Sequence, residues 1–163
     1  MNMKPTLWPI ALLLLTACSA APRFDTTDVA TQVTPRQAQT DMQTLQSSTV
    51  LWGGVLIASD NLKANTQLEI LAYPLNNRHK PRTDQPPIGR FLALQPGYLE
   101  TGDYAPGRLV TVRGQLREIR QGRIGESIYD YPVVIPAQLH LWREAGGSPT
   151  TRVNFGVGVI FTN

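Results

Sequence analysis

The sequence predicts an all-β fold of short antiparallel strands joined by tight turns, and three observations support this prediction. The chain has 163 residues, which suits one domain with a hydrophobic core better than two. It contains 13 glycines and 13 prolines, which favour turns, between runs of Val, Ile, Leu and Thr, which favour strands. In several of these runs apolar and polar residues alternate, as they do in a strand with one buried face.

The first element, residues 1–17, has the pattern of a secretory signal peptide. One positive charge, Lys4, precedes an apolar stretch over residues 7–15, and the small residue Ala17 follows. A charged start, a short apolar stretch and small residues at a cleavage point are typical of export signals. The apolar stretch is shorter than the roughly 20 residues that cross a bilayer as a helix. We therefore expect this segment to be removed rather than to span a membrane.

The only cysteine of the chain, Cys18, directly follows Leu15-Thr16-Ala17. This tetrapeptide resembles the lipobox of bacterial lipoproteins. The resemblance implies that Cys18 becomes the first residue of the mature chain and carries a covalent S-diacylglycerol and an N-acyl chain, with no other cofactor. Three acyl chains exceed what stable anchoring requires. Ser19 is not the Asp that favours inner-membrane retention in such proteins, so we expect outer-membrane sorting. The alternative is an ordinary signal peptide with an incidental cysteine.

Residues 18–47 are predicted to form the lipidated tether together with one short helix. Residues 19 to about 33 are small and polar, which is typical of a flexible tether. Thr34-Pro35 favours a helix start, because Thr is a good cap and Pro suits the first turn. Residues 36–46 then predict an amphipathic helix, and the side chains that share its apolar face are Ala38, Met42 and Leu45.

The remaining residues, 48–163, are predicted to form the β domain. The Gly53-Gly54 pair predicts a bulge or bend in the first strand, and Ser59-Asp60-Asn61 predicts a turn. Pro132 and Pro136 predict that the fifth strand is bent or lies at an edge. The predicted strands cover, in order, residues 50–57, 66–75, 89–94, 108–119, 131–142 and the alternating tail 153–161. We expect the tail to be an edge strand or a contact with a partner.

Five or six antiparallel strands with glycine bends suit a small closed or partly closed barrel. The nearest common architecture is the OB-like β-barrel, and closure would remove most exposed sheet edges. A β-sandwich is the alternative.

An ordered set of short motifs resembles the Slp family of outer-membrane lipoproteins, named for a starvation-inducible member. The matching pieces are Trp52-Gly53-Gly54, residues 68–75 (LEILAYPL), 89–93 (GRFLA), 97–100 (GYLE), 107–114 (GRLVTVRG), 131–134 (YPVV) and Leu141-Trp142. They follow the family's order over about residues 48–144, and the family's lipidated cysteine is matched by Cys18. The resemblance implies an outer-membrane lipoprotein that faces the periplasm and is linked to starvation or stationary-phase stress. It implies no enzymatic activity, cofactor or catalytic residue.

The residues themselves show no constellation of catalytic side chains, so we predict that the protein is not an enzyme. The two histidines, His79 and His140, are far apart and lack the spacing of metal ligands. We interpret His79 as a solvated loop residue and His140 as a surface or hydrogen-bonded side chain. No serine lies in a nucleophile-elbow pattern. The aspartates fall in or beside predicted turns, where Asp is favoured for local hydrogen bonding.

Two groups of basic residues are candidates for contact with an anionic surface such as lipid phosphates or lipopolysaccharide. They are Arg78, Lys80 and Arg82 in a loop, and Arg113 and Arg117 on one face of a strand. The alternative, which we favour, is a solvated face balanced by Glu118 and Glu126. From residue 19 onward the chain has 14 Lys and Arg against 12 Asp and Glu, a net charge of about +2. This small excess predicts no nucleic-acid partner.

The sequence thus predicts a non-enzymatic lipoprotein that is held to the outer membrane by lipid and faces the periplasm, with a structural or interaction role in the cell envelope. Its expected partners are membrane lipid through the anchor, the lipoprotein export and sorting machinery, and an envelope protein or glycan. The alternative function is a periplasmic module that binds a glycan or a lipid.

Overall fold

The computed structural model describes residues 22–143, and within this range the chain forms one helix and five strands. They are α1 (Pro35–Leu45), β1 (Thr49–Asn61), β2 (Asn65–Tyr73), β3 (Gly89–Pro96), β4 (Leu109–Ile124) and β5 (Ser127–Leu141). The predicted signal peptide, Cys18 and the predicted strand at 153–161 lie outside the described residues.

The five strands close into a barrel in the order β1-β2-β3-β5-β4. Neighbouring strands are antiparallel except for β3 and β5, which run parallel and pair Leu92 with Val133 and Ala93 with Val134. This arrangement confirms the predicted all-β fold with an OB-like barrel. The β-sandwich alternative is wrong, because a single sheet closes on itself.

The core lies inside the barrel, where inward side chains from every strand meet. On β2, Leu68, Ile70 and Ala72 are fully buried and alternate with partly exposed residues. Trp52 and Phe91 meet edge to face with their ring centroids 5.2 Å apart. Burying a large apolar side chain of this kind stabilises the fold by roughly 1.5–3 kcal/mol. The alternation seen in the sequence is therefore the direct cause of the inward and outward faces.

The helix forms where the sequence predicts it, and its start is capped. Gln37 N donates to Thr34 Oγ1 at 3.3 Å, and Thr34 N donates to Gln37 Oε1 at 2.8 Å, which together form a capping box. Ala38 is fully buried, and the other two residues of the predicted apolar face also pack against the barrel core; they are Met42 and Leu45. The predicted helix and its apolar face are confirmed. The helix contacts β3, β4 and β5.

The glycine pair in β1 allows close packing rather than forming a bulge. A Cβ on Gly54 would lie 1.9 Å from the carbonyl oxygen of Leu71, so only glycine fits there. The irregularity in the β1–β2 pairing falls instead between Leu56 and Ala58. The predicted position of the bulge is therefore wrong by a few residues.

The predicted turn at Ser59-Asp60-Asn61 is also wrong, because β1 continues through these residues. Asp60 pairs with Gln67 and Asn61 with Thr66, and the turn follows at residues 62–64. Pairing across the ladder outweighs the local turn preference of Asp and Asn.

The prolines of β5 lie near irregularities in its pairing with β4 and do not place the strand at an edge. Pro136 faces Gly114, next to a shift in the register of the β4–β5 pairing, and Pro132 faces Ile119. β5 pairs with β4 on one side and with β3 on the other. The pairing with β3 is short, so few of its hydrogen bonds depend on the proline positions. The edge interpretation is therefore wrong, and the bent-strand alternative is in line with the register shift beside Pro136, since strands bend at bulges.

Candidate functional site

The basic loop, residues 76–82 between β2 and β3, is held as a compact turn. Asn76 N donates to Lys80 O at 3.0 Å, and His79 N donates to Asn76 O at 2.8 Å. The side-chain oxygen of Asn76 accepts from the backbone N–H groups of Arg78 (2.9 Å) and Lys80 (3.0 Å). His79 has a φ of 60°, the left-handed conformation that closes the turn. The loop therefore presents Arg78 on a fixed backbone.

The basic loop packs on the outer surface of β1 and β4. Thr111 Oγ1 donates to His79 O at 2.7 Å and accepts from Trp142 Nε1 at 2.9 Å. The Lys80 ammonium lies 5.7 Å from the centroid of the Trp142 ring, within the range of a cation–π contact. A Cβ on Gly53 would lie 2.8 Å from Thr111 Oγ1, so the glycine leaves room for this hydrogen-bonded arrangement.

The entry segment, residues 22–34, is fixed to the same side of the barrel. Ala30 N donates to Thr49 O at 2.8 Å. Arg113 on β4 donates from Nε to Asp25 O at 2.6 Å and forms an ion pair with Asp28. The prediction of a flexible tether up to about residue 33 is therefore wrong from Asp25 onward, because long-range hydrogen bonds hold this stretch. Polar composition alone does not reveal such bonds.

The entry segment also touches the basic loop. The rings of Phe24 and His79 meet edge to face at 5.7 Å. A backbone hydrogen bond from Thr27 lowers the pKa of Asp25, and a side-chain hydrogen bond from Arg113 lowers the pKa of Asp28. Both carboxylates are thus ionised and engaged where the described chain enters the fold.

The structure gathers three of the five predicted basic contact residues in the basic loop. Arg78 is exposed and Lys80 is half-buried against Trp142. Arg82 is exposed and forms an ion pair with Asp84 at 3.1 Å.

The other two basic residues are not part of this cluster. Arg113 and Arg117 share the outward face of β4, as their spacing predicts, but Arg113 is only 15% exposed and is engaged by Asp28. Arg117 lies beside the end of the helix, where its carbonyl accepts from the side chain of Gln46 at 2.9 Å. Glu118 pairs with Arg120 rather than with either of them.

A second apolar cluster lies outside the barrel, beneath the far part of the β4–β5 hairpin. We call residues 118–133 the covering hairpin. Leu92 and Leu94 point outward from β3, yet they are only 6% and 9% exposed, because Tyr131 and Val133 pack against them. In OB folds, the face formed by the second and third strands binds oligonucleotides and oligosaccharides. In this chain that face is covered by the protein's own hairpin.

Polar contacts hold the covering hairpin in place. Tyr131 OH donates to Glu69 Oε1 at 3.0 Å, and Arg90 Nη1 donates to the same oxygen at 2.7 Å. Arg90 N donates to the hydroxyl of Tyr129 at 3.0 Å. Burial, followed by the contact with Glu69, raises the pKa of Tyr131 to about 12. This cluster was not predicted from the sequence, although the run Phe91-Leu92-Ala93-Leu94 is typical of a strand buried on both faces.

A cleft of about 360 Å³ opens between the entry segment and the start of the basic loop. Its walls include Trp52, whose indole N–H donates to Val33 O at 2.7 Å and is therefore already engaged. The other lining residues that carry rings or hydroxyls are Thr26, Thr31, Thr34, Tyr73 and His79. The surface that lines the cleft is mainly apolar.

The two histidines lie in different settings. His79 belongs to the basic loop, and His140 stacks edge to face on Trp142 at 4.6 Å. Burial lowers the pKa of His140. In the described range, no three His, Cys, Asp or Glu side chains come close enough to hold a metal ion. Over residues 22–143, no helix has both the length and the apolar character needed to cross a membrane.

The chain is thus a small OB-like barrel protein with an exposed basic loop, and the first residues that the structure describes lie beside that loop. Over residues 15–156 the sequence matches the outer membrane lipoprotein Slp family. The chain belongs to this family, which confirms the predicted resemblance.

Three relatives support the assignment. An uncharacterized protein of Haemophilus influenzae is 30% identical over 87% of this chain and 78% of its own length. The Escherichia coli outer membrane protein Slp is 30% identical over 68% of this chain and 59% of its own length. The uncharacterized E. coli lipoprotein YeaY is 35% identical over 51% of this chain and 42% of its own length. The matched part thus spans less than two thirds of either E. coli relative.

Two solved structures are similar to parts of the chain. A small single-stranded DNA-binding protein from Streptomyces coelicolor aligns with a TM-score of 0.37 and 11% identity, over 59% of this chain and 94% of that chain. Schizosaccharomyces pombe Pot1pC, in a complex with single-stranded DNA, aligns with a TM-score of 0.30 and 12% identity, over 72% of this chain and 87% of that chain.

Proposed function

We propose that this protein is a non-enzymatic lipoprotein that is anchored in the outer membrane by acyl chains on Cys18 and faces the periplasm. The observation that carries the proposal is the start of the family match at residue 15, so that it includes Leu15-Thr16-Ala17-Cys18. The chain has no second cysteine that could carry the lipid. Membrane lipid and the lipoprotein export and sorting machinery are then its first partners.

The role that we assign is a structural or interaction role in the cell envelope under starvation or stationary-phase stress. The stress physiology is the part implied by the resemblance to the family. An interaction role is supported by Tyr98, whose side chain is 73% exposed in the loop after β3. A photo-crosslinking residue placed at Tyr98 in living stationary-phase cells should capture an envelope protein or glycan. The same residue at the exposed position Gln43 on α1 is the control, and equal capture at both positions would contradict a specific interaction.

The anchor is tested by a Cys18→Ser variant of the full chain in cells fed radiolabelled palmitate. We expect the native protein to be labelled and recovered with outer membranes, because only a thiol accepts the diacylglycerol. The variant should be unlabelled and either unprocessed or soluble. A Ser48→Ala variant, which leaves the lipobox intact, should behave like the native protein. Membrane recovery of a correctly cleaved but unlabelled Cys18→Ser protein would overturn the proposal.

A second candidate function, a periplasmic module that binds a glycan or a lipid, is favoured by the 360 Å³ cleft beside Trp52 and Tyr73. A cleft lined by aromatic side chains and threonine hydroxyls suits sugars and acyl chains alike. Soluble peptidoglycan fragments or short-chain phospholipid should then raise the melting temperature of the native protein, and the rise should disappear in Tyr73→Ala. If neither ligand shifts the melting temperature, this second function is excluded for these ligands.

A further inference from the structure

We propose that the side of the barrel formed by the entry segment and the basic loop lies on the membrane, and that Arg78 and Lys80 bind the phosphate groups of anionic lipids there. We call this side the docking face. The proposal rests on the lipid anchor proposed above and adds the orientation of the domain and the chemistry of its contact.

The first argument is the short distance along the chain between the anchor and the fold. Phe24, which packs on His79, is only six residues after Cys18. Six residues span at most about 20 Å even when fully extended. The hydrogen bonds from Arg113 to the entry segment then allow no further slack after Asp25. The docking face is therefore held within about 20 Å of the lipid surface, which is about two and a half Debye lengths at physiological salt.

The opposite end of the barrel is farther from the anchor. The basic loop packs at the level of Thr111, which pairs with Gly53. The end of β1, Asn61, is eight residues beyond Gly53, or about 26 Å along the strand. If the Asn61 end faced the lipid, the docking face would lie about 26 Å from the surface. The six residues between Cys18 and Phe24 span at most about 20 Å, so they could not bridge that distance.

The second argument is the distribution of charge on the docking face. Arginines engage two acidic side chains on or next to this face, Asp84 through Arg82 and Asp28 through Arg113, and the carboxylate of Asp25 accepts hydrogen bonds from the backbone and hydroxyl of Thr27. Within residues 22–143, Arg78 and Lys80 form no ion pair with a carboxylate. The positive charge that remains on the loop is therefore available to an anion that the fold itself does not supply. Further exposed cations flank the face where the described chain begins and ends, at Arg23 and Arg143.

The third argument is that the two cations are held on an ordered scaffold. The Asn76 side chain fixes the backbone of both residues, and the Trp142 ring lies beside the Lys80 ammonium. A fixed backbone reduces the conformational entropy that is lost when a loop binds. Lipid phosphates at the foot of the anchor are the nearest anions, and each basic residue near an anionic surface favours the docked state about fivefold. This reverses our expectation from the sequence that the basic residues form a solvated face.

The test uses the full lipidated protein reconstituted in vesicles. Cys18 is the only cysteine and is blocked by acylation, so a single new cysteine can be labelled with a fluorophore. Asn77→Cys places the label at the tip of the basic loop, and Lys63→Cys places it in the β1–β2 loop. In vesicles with phosphatidylglycerol and nitroxide-labelled headgroups, we expect strong quenching at position 77 and little at position 63. Quenching at position 77 should weaken in vesicles of phosphatidylcholine alone.

Charge variants decide whether Arg78 and Lys80 cause the docking. In the Arg78→Gln/Lys80→Gln double variant, the ratio of docked to undocked protein should fall about 25-fold. Arg117→Gln/Arg123→Gln removes the same charge from exposed positions outside the docking face and should leave the quenching unchanged. If the protein floats with the vesicles but positions 77 and 63 are quenched equally, or if both double variants behave alike, the docking proposal is overturned and the anchor stands. If the protein does not float with the vesicles, the anchor itself is overturned.

Discussion

Arg113 in β4 forms an ion pair with Asp28, which lies 85 residues earlier in the chain, and so fastens the entry segment to the wall of the barrel. The same guanidinium also binds the backbone of Asp25. One side chain thus holds two residues of the entry segment against β4. Because the proposed lipid is attached only seven residues before Asp25, the membrane orientation proposed above depends on this contact.

Acid is expected to loosen the entry segment. The hydrogen bond from Arg113 lowers the pKa of Asp28 from the ordinary Asp value of 3.8. The ionised Asp28 carboxylate therefore contributes its full stabilisation above pH 3.8, and this contribution is lost as the pH falls through the lowered pKa. The protection of the Ala30 amide against hydrogen exchange, taken relative to the intrinsic rate at each pH, should therefore fall below about pH 4, while that of the buried Ile70 amide stays high. In Arg113→Gln, exchange at Ala30 should already be fast at neutral pH. Equal exchange in the variant and the native protein would contradict this role.

Removing the Tyr131 hydroxyl should weaken the covering hairpin. Tyr131→Phe loses the hydrogen bond to Glu69, at a cost of about 1 kcal/mol, whereas Tyr131→Ala also empties the apolar cluster and should cost about 3–5 kcal/mol. Chemical denaturation measures both values. Tyr98→Phe, which changes an exposed ring, should leave the stability unchanged. A Tyr131→Ala protein as stable as the native one would show that the hairpin does not need this contact.

The same tyrosine predicts a loss of stability in alkali. Its pKa is raised from 10.0 to about 12, so the neutral form stabilises the fold fully below pH 10, and this contribution is lost as the pH rises toward 12. Ultraviolet titration should show one phenol that ionises near pH 12 in the native protein and is missing in Tyr131→Phe. Identical titration curves would contradict the assignment.

Gly54→Ala should destabilise the barrel by about 2–3 kcal/mol, because the new Cβ would meet the backbone carbonyl of Leu71 and one strand would have to move. Gly125→Ala is the matched control. Its Cβ has no neighbour within 4 Å, so only the left-handed backbone (φ 60°) resists the change, at about 1 kcal/mol. Thermal unfolding of the two variants ranks their losses of stability. A larger loss of stability in Gly125→Ala than in Gly54→Ala would be inconsistent with the packing described.

Sorting should change in a Ser19→Asp variant. An Asp directly after the lipidated cysteine favours retention in the inner membrane of such proteins, so the labelled variant should shift to the inner-membrane fraction. Ser19→Ala should remain in the outer membrane. Density-gradient fractionation distinguishes the two, and an outer-membrane position for Ser19→Asp would show that residue 19 does not direct sorting in this chain.

Local patterns in the sequence were enough to predict the elements. The Leu- and Ile-rich run of β2, the two-residue alternation in β4, the Thr34-Pro35 start and the apolar face of the helix each depend on neighbours in the chain, and each of these elements is confirmed. The lone cysteine after Leu15-Thr16-Ala17 likewise needs no fold in order to be recognised, and its lipidation remains a prediction.

Only the tertiary structure decided the contacts between residues that are far apart in sequence. Polar composition predicted a free tether up to residue 33, but Arg113 and Thr49 bind the stretch from Asp25 onward. The sequence likewise placed Arg113 among the available cations, whereas Asp28 engages it. The cover over Leu92 and Leu94 depends on how the covering hairpin folds back over β3. Hydrogen bonds and packing of this kind depend on spatial proximity, which composition and periodicity do not encode, so they become visible only once the barrel is closed.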